Sequence, residues 1–336
     1  MPKVAVCIPT WNGGRFVADA IQSILAQSFT NLEIVVVDDH STDSTVEVVR
    51  SFADPRLTLY ENERRLGIPG NWNHALSLAR GEYVCLFHQD DRMEPDNLAR
   101  KAHVLDSDPT IGLVHSAIEL VLEPSAPYPP AQWVEEAAED FIVDDPVYFR
   151  RLLLEGNIIC ASTVLARREA LVEAGGFDPE LGFACDYALW MRLCLDRRVA
   201  FLSQPLVKYR WHADNETHRF RFEKGVQEAL AASHKVLSDY RQRPGREQEA
   251  ELLRASVDVL ARVRRWAAEL DRGRGWLEEQ VRNWQAEAER GDQIIAELRG
   301  WITQLETGKA WLEQHARNWQ AEAERRGKII AELKAH

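Results

Sequence analysis

Two pairs of adjacent carboxylates, Asp38-Asp39 and Asp90-Asp91, each follow an apolar run, LEIVVV and YVCLF. Paired carboxylates at the end of a buried strand make an oxygen-rich site of the kind that Mg2+ or Mn2+ prefers and shares with phosphates. Acids at strand ends also bond ribose hydroxyls or base edges in nucleotide-binding α/β folds. The same residues serve as solvated turns, and DDHSTDS reads equally as a helix-capping turn. A third acid, Asp186, opens the run DYALWMRLCL, where it can serve as an N-cap for the helix that follows. No GxGxxG or GxxxxGK[ST] fingerprint is present, which argues against dehydrogenase and P-loop chemistry. Asn12-Gly13-Gly14 and Gly67-Ile68-Pro69-Gly70 read as loops only.

The elements that must position these acids alternate. Lys3–Ile8, Leu32–Val37, Leu57–Tyr60 and Tyr83–Phe87 read as strands; Phe16–Gln27, Ser41–Phe52 and Asn71–Ala79 read as helices. Continuous apolar strands separated by helices predict a mostly parallel sheet covered on both faces. Ligands of such sheets bind at the carboxyl ends of the strands, which brings both acidic pairs to one crevice. Beyond residue 120 the pattern is mixed. Glu123–Pro130 is a Pro-rich loop, Val147–Leu154 and Arg168–Ala174 are helical, and Ile158–Ala166 reads as a strand. Asp186–Leu195 reads as an amphipathic helix, and Val199–Leu202 and Leu206–Arg210 as two short strands.

The third section is a repeat. WLEEQVRNWQAEAERGDQIIAEL (276–298) and WLEQHARNWQAEAERRGKIIAEL (311–333) are identical at 17 of 23 positions, offset by 35 residues, or five heptads. Apolar residues recur at heptad spacing through Leu277, Trp284, Leu298, Leu305, Leu312 and Trp319. This pattern predicts a left-handed coiled coil with a partner over its stripe, and a helix of roughly 130 Å over residues 247–334. The chain therefore divides at about 1–120, 121–245 and 246–336.

Composition sets the bounds. The 336 residues carry a formal charge of −12, and residues 246–336 account for only −1 of it. An acidic chain is a poor match for nucleic acid, which favours a basic footprint. Hydrophobic residues make up 45% and charged residues 28%, enough for a core and too ordered a mixture for a disordered chain. Five cysteines without a CxxC pair read as reduced, buried thiols of a cytoplasmic protein. MPKVAVCIPT reads as no signal peptide, and no run approaches ~18 apolar residues, so no membrane span is expected.

Taken together, VCIPTWNGGRFVADAIQSILAQSFTNLEIVVVDDHSTDST, LGIPGNWNHALSLARGEYVCLFHQDDRMEPDNL and GGFDPELGFACDYALWMRL resemble a family 2 inverting glycosyltransferase of the GT-A fold, in order and spacing over about residues 1–215. The resemblance implies a nucleotide-sugar-binding half (1–120) and an acceptor-binding half (121–245). It implies nucleotide contacts from Pro9, Thr10, Trp11 and Asn12, a base contact from Asp39 with Asp38 beside it, and a nucleotide-loop position for Asn73. In the acidic motif Gln89-Asp90-Asp91, Asp91 would ligate a metal bridging two phosphates and Asp90 would contact ribose or sugar; Gln89 stands where an acid is usual. Trp72 stands where an Arg is frequent, and Cys185 where a Glu is usual before the catalytic Asp, here Asp186. His212, in YRWHADNET, is implied near the metal or diphosphate, and Trp133 is a candidate for stacking on an acceptor sugar.

The chemistry implied is direct displacement. Mn2+ or Mg2+ offsets charge on the leaving diphosphate, Asp186 takes the acceptor proton, and the anomeric centre inverts. The expected partners are a nucleotide-diphosphate sugar and a glycan or lipid-linked acceptor, with a homo-oligomer formed through the C-terminal coiled coil. The expected setting is cell-surface polysaccharide synthesis, in the cytoplasm or at the inner face of the membrane. The alternative is a coiled-coil scaffold, or a chain-length ruler, with a nucleotide-sugar-binding head.

Overall fold

The computed structural model describes residues 1–124, 126, 137–218, 223–251, 253–261, 263 and 292–333. Two compact units are present, Met1–His218 and Arg219–His336.

The first unit begins as the alternation expected: β1 (Val4–Thr10), α1 (Val17–Leu25), β2 (Leu32–Asp38), α2 (Thr45–Arg50), β3 (Leu57–Glu61), α3 (Gly67–Leu78) and β4 (Tyr83–Leu86). It continues with β5 (Arg92–Met93), α4 (Asn97–Ser107), β6 (Ile111–Leu122), β7 (Phe141–Val143), α5 (Val147–Glu155), β8 (Leu165–Arg167), α6 (Arg168–Glu173), α7 (Cys185–Leu193) and β9 (Arg198–Trp211). One sheet runs in the order β3-β2-β1-β4-β8-β6-β9-β5, with β7 on β9. The β3-β2-β1-β4 part is parallel; β8 then enters antiparallel to both β4 and β6.

β1 and β2 are buried at every position, because helices cover both faces. Val4, Val6 and Ile8 point to one face and pack in a single core with Val17, Ile21 and Ile24 of α1 and Leu98, Ala102 and Leu105 of α4. The alternate residue Cys7 points to the other face, where its thiol donates to the Ala75 carbonyl of α3. All five cysteines are free and buried.

Four segments differ from the sequence-based expectation. α3 starts at Gly67 rather than Asn71, so Gly67–Gly70 form its first turn instead of a loop. The Asp39 carboxylate supplies the acceptors that this turn needs, and Pro69 sits where a missing N–H costs nothing. Ile158–Ala166 is mostly not a strand: a 3-10 turn occupies Ala161–Thr163 and only Leu165–Arg167 pairs in the sheet. The apolar run there records burial, not extension. α7 is buried around most of its circumference rather than amphipathic. The two short strands predicted near 199–210 are one, β9, whose pairing with β6 shifts register near Pro205, where a donor is missing.

In the second unit, α8 spans Glu223–Arg241, and Asp292–Leu333 is one helix of 42 residues. On it Leu312 is buried, Ile302 and Leu305 are half-buried, and Trp301, Trp311 and Trp319 are exposed. Most of the first repeat, including Leu277 and Trp284, lies outside the described residues. Among the described residues, no helix is long and apolar enough to cross a membrane.

Candidate active site

The carboxyl ends of β1, β2 and β4 converge, and each delivers its predicted residues there. Pro9 lies in β1 opposite Val37. Asp38, at the end of β2, is buried and accepts from the Thr10 hydroxyl at 2.9 Å, from the Ser41 hydroxyl at 2.6 Å and from the Ser41 N–H at 2.8 Å. Asn12, at φ +47°, donates its N–H to Ser41 Oγ at 2.9 Å and accepts from the Thr42 N–H at 2.9 Å. Gly13 N–H donates to Thr45 Oγ1 at 2.8 Å. These bonds lock the β1–α1 and β2–α2 loops to each other. That is why α2 begins only at Thr45: Ser41, Thr42 and Asp43 are committed to the loop–loop lock.

Asp39 is also buried, and it faces α3. Its carboxylate accepts from Asn62 Nδ2 at 3.0 Å, Leu66 N–H at 2.7 Å and Gly67 N–H at 2.9 Å. Asn62 also accepts from His74 Nδ1 at 2.7 Å, so the network reaches into α3. Above it the Arg65 guanidinium stacks 3.4 Å from the Trp11 ring centroid. Asn73 is turned elsewhere. Its amide donates to the Phe177 carbonyl at 2.6 Å and accepts from the Phe177 N–H at 2.9 Å. It thus pins the GGFDP segment to α3 through a peptide-like pair.

The segment His88–Asp91 follows β4. Gln89 makes the same kind of pair with Trp11: its Oε1 accepts from the Trp11 N–H at 3.0 Å and its Nε2 donates to the Trp11 carbonyl at 3.1 Å. An acid at this position has no donor for the second bond. Asp90 accepts from His212 Nε2 at 3.0 Å, and the Asp214 N–H donates to His212 Nδ1 at 3.2 Å. The second bond sets the tautomer, so His212 presents an N–H rather than a lone pair to Asp90.

Asp91 is buried and accepts from Ser162 Oγ at 2.5 Å and Arg210 N–H at 3.0 Å. Desolvation, with the neighbouring Asp90 charge, pushes its carboxyl well above the usual range. His88, Asp90 and Asp91 each offer a ligand atom, all within 4.8 Å of one another. Burial pushes the His88 imidazole down, toward the neutral form that ligates metals. His88 Nε2 is buried with no hydrogen-bond partner. The buried Asp91 carboxylate, the half-buried Asp90 carboxylate and the His88 imidazole are a donor set that fits a divalent cation.

Asp186 lies in the first turn of α7, and Asn157 Nδ2 donates to it at 3.1 Å. Desolvation raises its carboxyl to about 6, against the opposing effect of hydrogen bonds from Tyr187 N–H and Asn157. The segment 157–163 ties this acid to the other. Asn157 holds Asp186, Ser162 holds Asp91, and the Cys160 thiol between them feels both carboxylates. Buried Lys101 of α4 anchors the far end through the Thr163 carbonyl at 2.5 Å, and burial pushes its ammonium down to about 7.

Trp133 lies outside the described residues. Sequence reasoning missed His88, Asn157 and Ser162. His88 carries a visible signal, since it abuts Asp90-Asp91 with a single residue between. Asn157 and Ser162 carry none, because they sit in a run that reads as a strand.

The family model described as Glycosyl transferase family 2 matches residues 5–174. An uncharacterized glycosyltransferase of Rickettsia typhi is 27% identical over 224 residues, covering 65% of this chain and 66% of its own length. The chain thus spans about two thirds of the length of that relative. S. aureus TarS 1-349 in complex with UDP-GlcNAc shares the fold at a TM-score of 0.62 and 20% identity, covering 97% of this chain and 92% of that one. The mannosyltransferase PcManGT from Pyrobaculum calidifontis, in complex with GDP-Man and Mn2+, gives a TM-score of 0.56 at 23% identity over 96% of this chain and 84% of that one.

Proposed function

Because the chain belongs to glycosyl transferase family 2, with a GT-A fold and a transferase's activity, we propose that it moves a sugar from a nucleotide-diphosphate sugar to a hydroxyl of a glycan or lipid-linked acceptor, with metal dependence and inversion. The observation that carries this reading is the 157–163 segment. It links a carboxylate poised near neutrality to buried Asp91, which with half-buried Asp90 has metal-ligand spacing. The two fold relatives hold UDP-GlcNAc and GDP-Man, both nucleotide-diphosphate sugars, which supports the donor class.

In this reading Asp186 is the general base. An acceptor hydroxyl has a pKa far above 7, and a carboxylate near 6 is ionised at neutral pH yet basic enough to take the proton as attack proceeds. Direct displacement needs no protein nucleophile, so inversion follows. Asp90 and Asp91 would hold Mn2+ or Mg2+, and a bound ion would supply Lewis-acid stabilisation of the diphosphate. Trp11 and the Pro9–Asn12 stretch, with Asp38 and Asp39 behind them, form the nucleotide side. Asp38 and Asp39 act by holding the loops and the start of α3 that the nucleotide meets. His212 orients Asp90. Residues 1–120 serve the donor and 121–245 the acceptor, with Trp133 as the acceptor-stacking candidate. Residues 246–336 join copies of the chain as a coiled coil, in a protein that acts in the cytoplasm or at the inner face of the membrane in polysaccharide synthesis.

The test is nucleotide binding and donor hydrolysis across a panel of sugar nucleotides, with and without Mn2+ or Mg2+, on wild type and Asp91→Ala. One donor bound and slowly hydrolysed only with metal, and lost in Asp91→Ala, supports the reading. No binding of any sugar nucleotide under any metal condition overturns it.

A further inference from the structure

His88 has an environment unlike that of His212, the other histidine at this site. His212 is held by hydrogen bonds at both ring nitrogens, to Asp90 and from the Asp214 N–H. The His88 ring has no such hold. Its Nδ1 stands 3.8 Å from Asp91 Oδ2, too far for a hydrogen bond, and its Nε2 is buried without a partner. The residue is fixed instead through its backbone and by packing. Its N–H donates to Ser162 Oγ at 3.1 Å, the same hydroxyl that donates to Asp91. Its ring lies 5.4 Å, centroid to centroid, from Trp72, which packs edge-on against Phe177 at 5.1 Å.

An imidazole held in place yet left polar and unsatisfied costs free energy in the ligand-free fold. The ring nitrogen shown to face the acids is Nδ1, and an ion between it and Asp91 Oδ2, 3.8 Å apart, would be within bonding reach of both. Two ligands on one ion at bonds of about 2.1 Å stand about 3 Å apart when adjacent and about 4 Å apart when opposite. The ligand atoms of His88, Asp90 and Asp91 lie within 4.8 Å of one another, so small side-chain rotations suffice to close around an ion.

We infer that His88 is a nitrogen ligand of the catalytic metal, completing with Asp90 and Asp91 a mixed nitrogen–oxygen site that favours Mn2+ over Mg2+. The inference rests on the metal-dependent reading above. Its selectivity follows from ligand type. Mg2+ is a hard ion that keeps oxygen and water ligands, whereas imidazole binds later first-row ions in preference.

The test is pulsed electron paramagnetic resonance of Mn2+ on the tag-free, full-length protein, in a nitrogen-free buffer, with inorganic pyrophosphate as the diphosphate probe. The wild type is expected to show nitrogen modulation that changes when histidine is labelled with 15N. The modulation should persist in His212→Gln and vanish in His88→Gln. Direct titration should show Mn2+ binding weakened by about 10–100-fold in His88→Gln, the range known for loss of groups that support a metal ligand, with Mg2+ binding less affected. Bound Mn2+ without histidine nitrogen modulation in the wild type overturns the inference and leaves the metal-dependent reading standing. Modulation that survives His88→Gln and disappears in His212→Gln also overturns it. Absence of Mn2+ binding overturns both.

Discussion

Removing the Asn157 side chain moves the acid limb of the rate profile upward without destroying the enzyme. Asp186 titrates near 6 because two opposing effects meet there. Burial raises the carboxyl, while hydrogen bonds from the Tyr187 N–H at 2.6 Å and Asn157 Nδ2 at 3.1 Å hold the ionised form down. Asn157→Ala deletes one donor and leaves the burial in place. A hydrogen bond to a charged group is worth about 1.5–3 kcal/mol. At 1.36 kcal/mol per pH unit, that is about one to two units. The acid limb of kcat/KM therefore moves from about 6 in the wild type to between about 7 and 8 in the variant. At pH 6.5 the variant loses most of its rate; above pH ~8.5 it approaches wild type, because the base is then ionised in both. The assay is release of nucleoside diphosphate from the donor that turns over, between pH 5 and 9. An acid limb that stays put, or a loss of rate equal at every pH, refutes the argument that Asn157 acts through the ionisation of Asp186. A wild-type limb near 4 refutes the burial argument itself.

Asp186→Asn should lower turnover by about 10²–10⁴-fold, the usual worth of a general base, and yet stabilise the fold. A folded-state pKa of about 6 against 3.8 means that folding disfavours the ionised carboxylate. That cost is small below pH ~4, grows between about pH 4 and 6, and levels off at roughly 3 kcal/mol above that. Urea unfolding should show the variant more stable at pH 8 and nearly equal to wild type at pH 4. Gln89→Glu removes the donor to the Trp11 carbonyl and should cost about 1–3 kcal/mol in the same measurement. Asp39→Ala frees the Leu66 and Gly67 N–H groups at the start of α3, so their amide exchange should quicken by about tenfold or more for each ~1.4 kcal/mol of local stability lost. Chelation should abolish donor turnover, and added Mn2+ or Mg2+ should restore it; turnover that survives exhaustive chelation counts against the metal reading.

The first half of the sheet is legible because β1, β2 and β4 are buried on both faces and each connection is a helix. Apolar runs then mark strands directly, and punctuation such as Asp38-Asp39 and Gln89-Asp90-Asp91 marks their ends. The second half loses that clarity. β8 enters antiparallel between β4 and β6, and β9 continues past a proline by shifting register. Neither event leaves a local signature, since pairing direction is a relation between distant segments. The run from 158 to 166 shows the ambiguity most clearly: it is apolar because it lies under the site, and its Ser162 and Thr163 are bound to side chains far away in sequence.

By itself the sequence determined the alternating half of the sheet, the acids at its strand ends and the heptad repeat, because backbone periodicity and strand termini are written in neighbouring residues. The tertiary structure alone decided what each acid does there. Asp38 and Asp39 turn inward to hold loops and a helix start, Asn73 turns to Phe177, and His212 is tied to Asp90 while His88 is left with an open nitrogen. Asn157 and Ser162 arrive from a remote segment to set the state of Asp186 and Asp91. Hydrogen-bond partners and desolvation act over a few ångströms of space whatever the separation along the chain, so charge state and orientation are properties of the assembled fold.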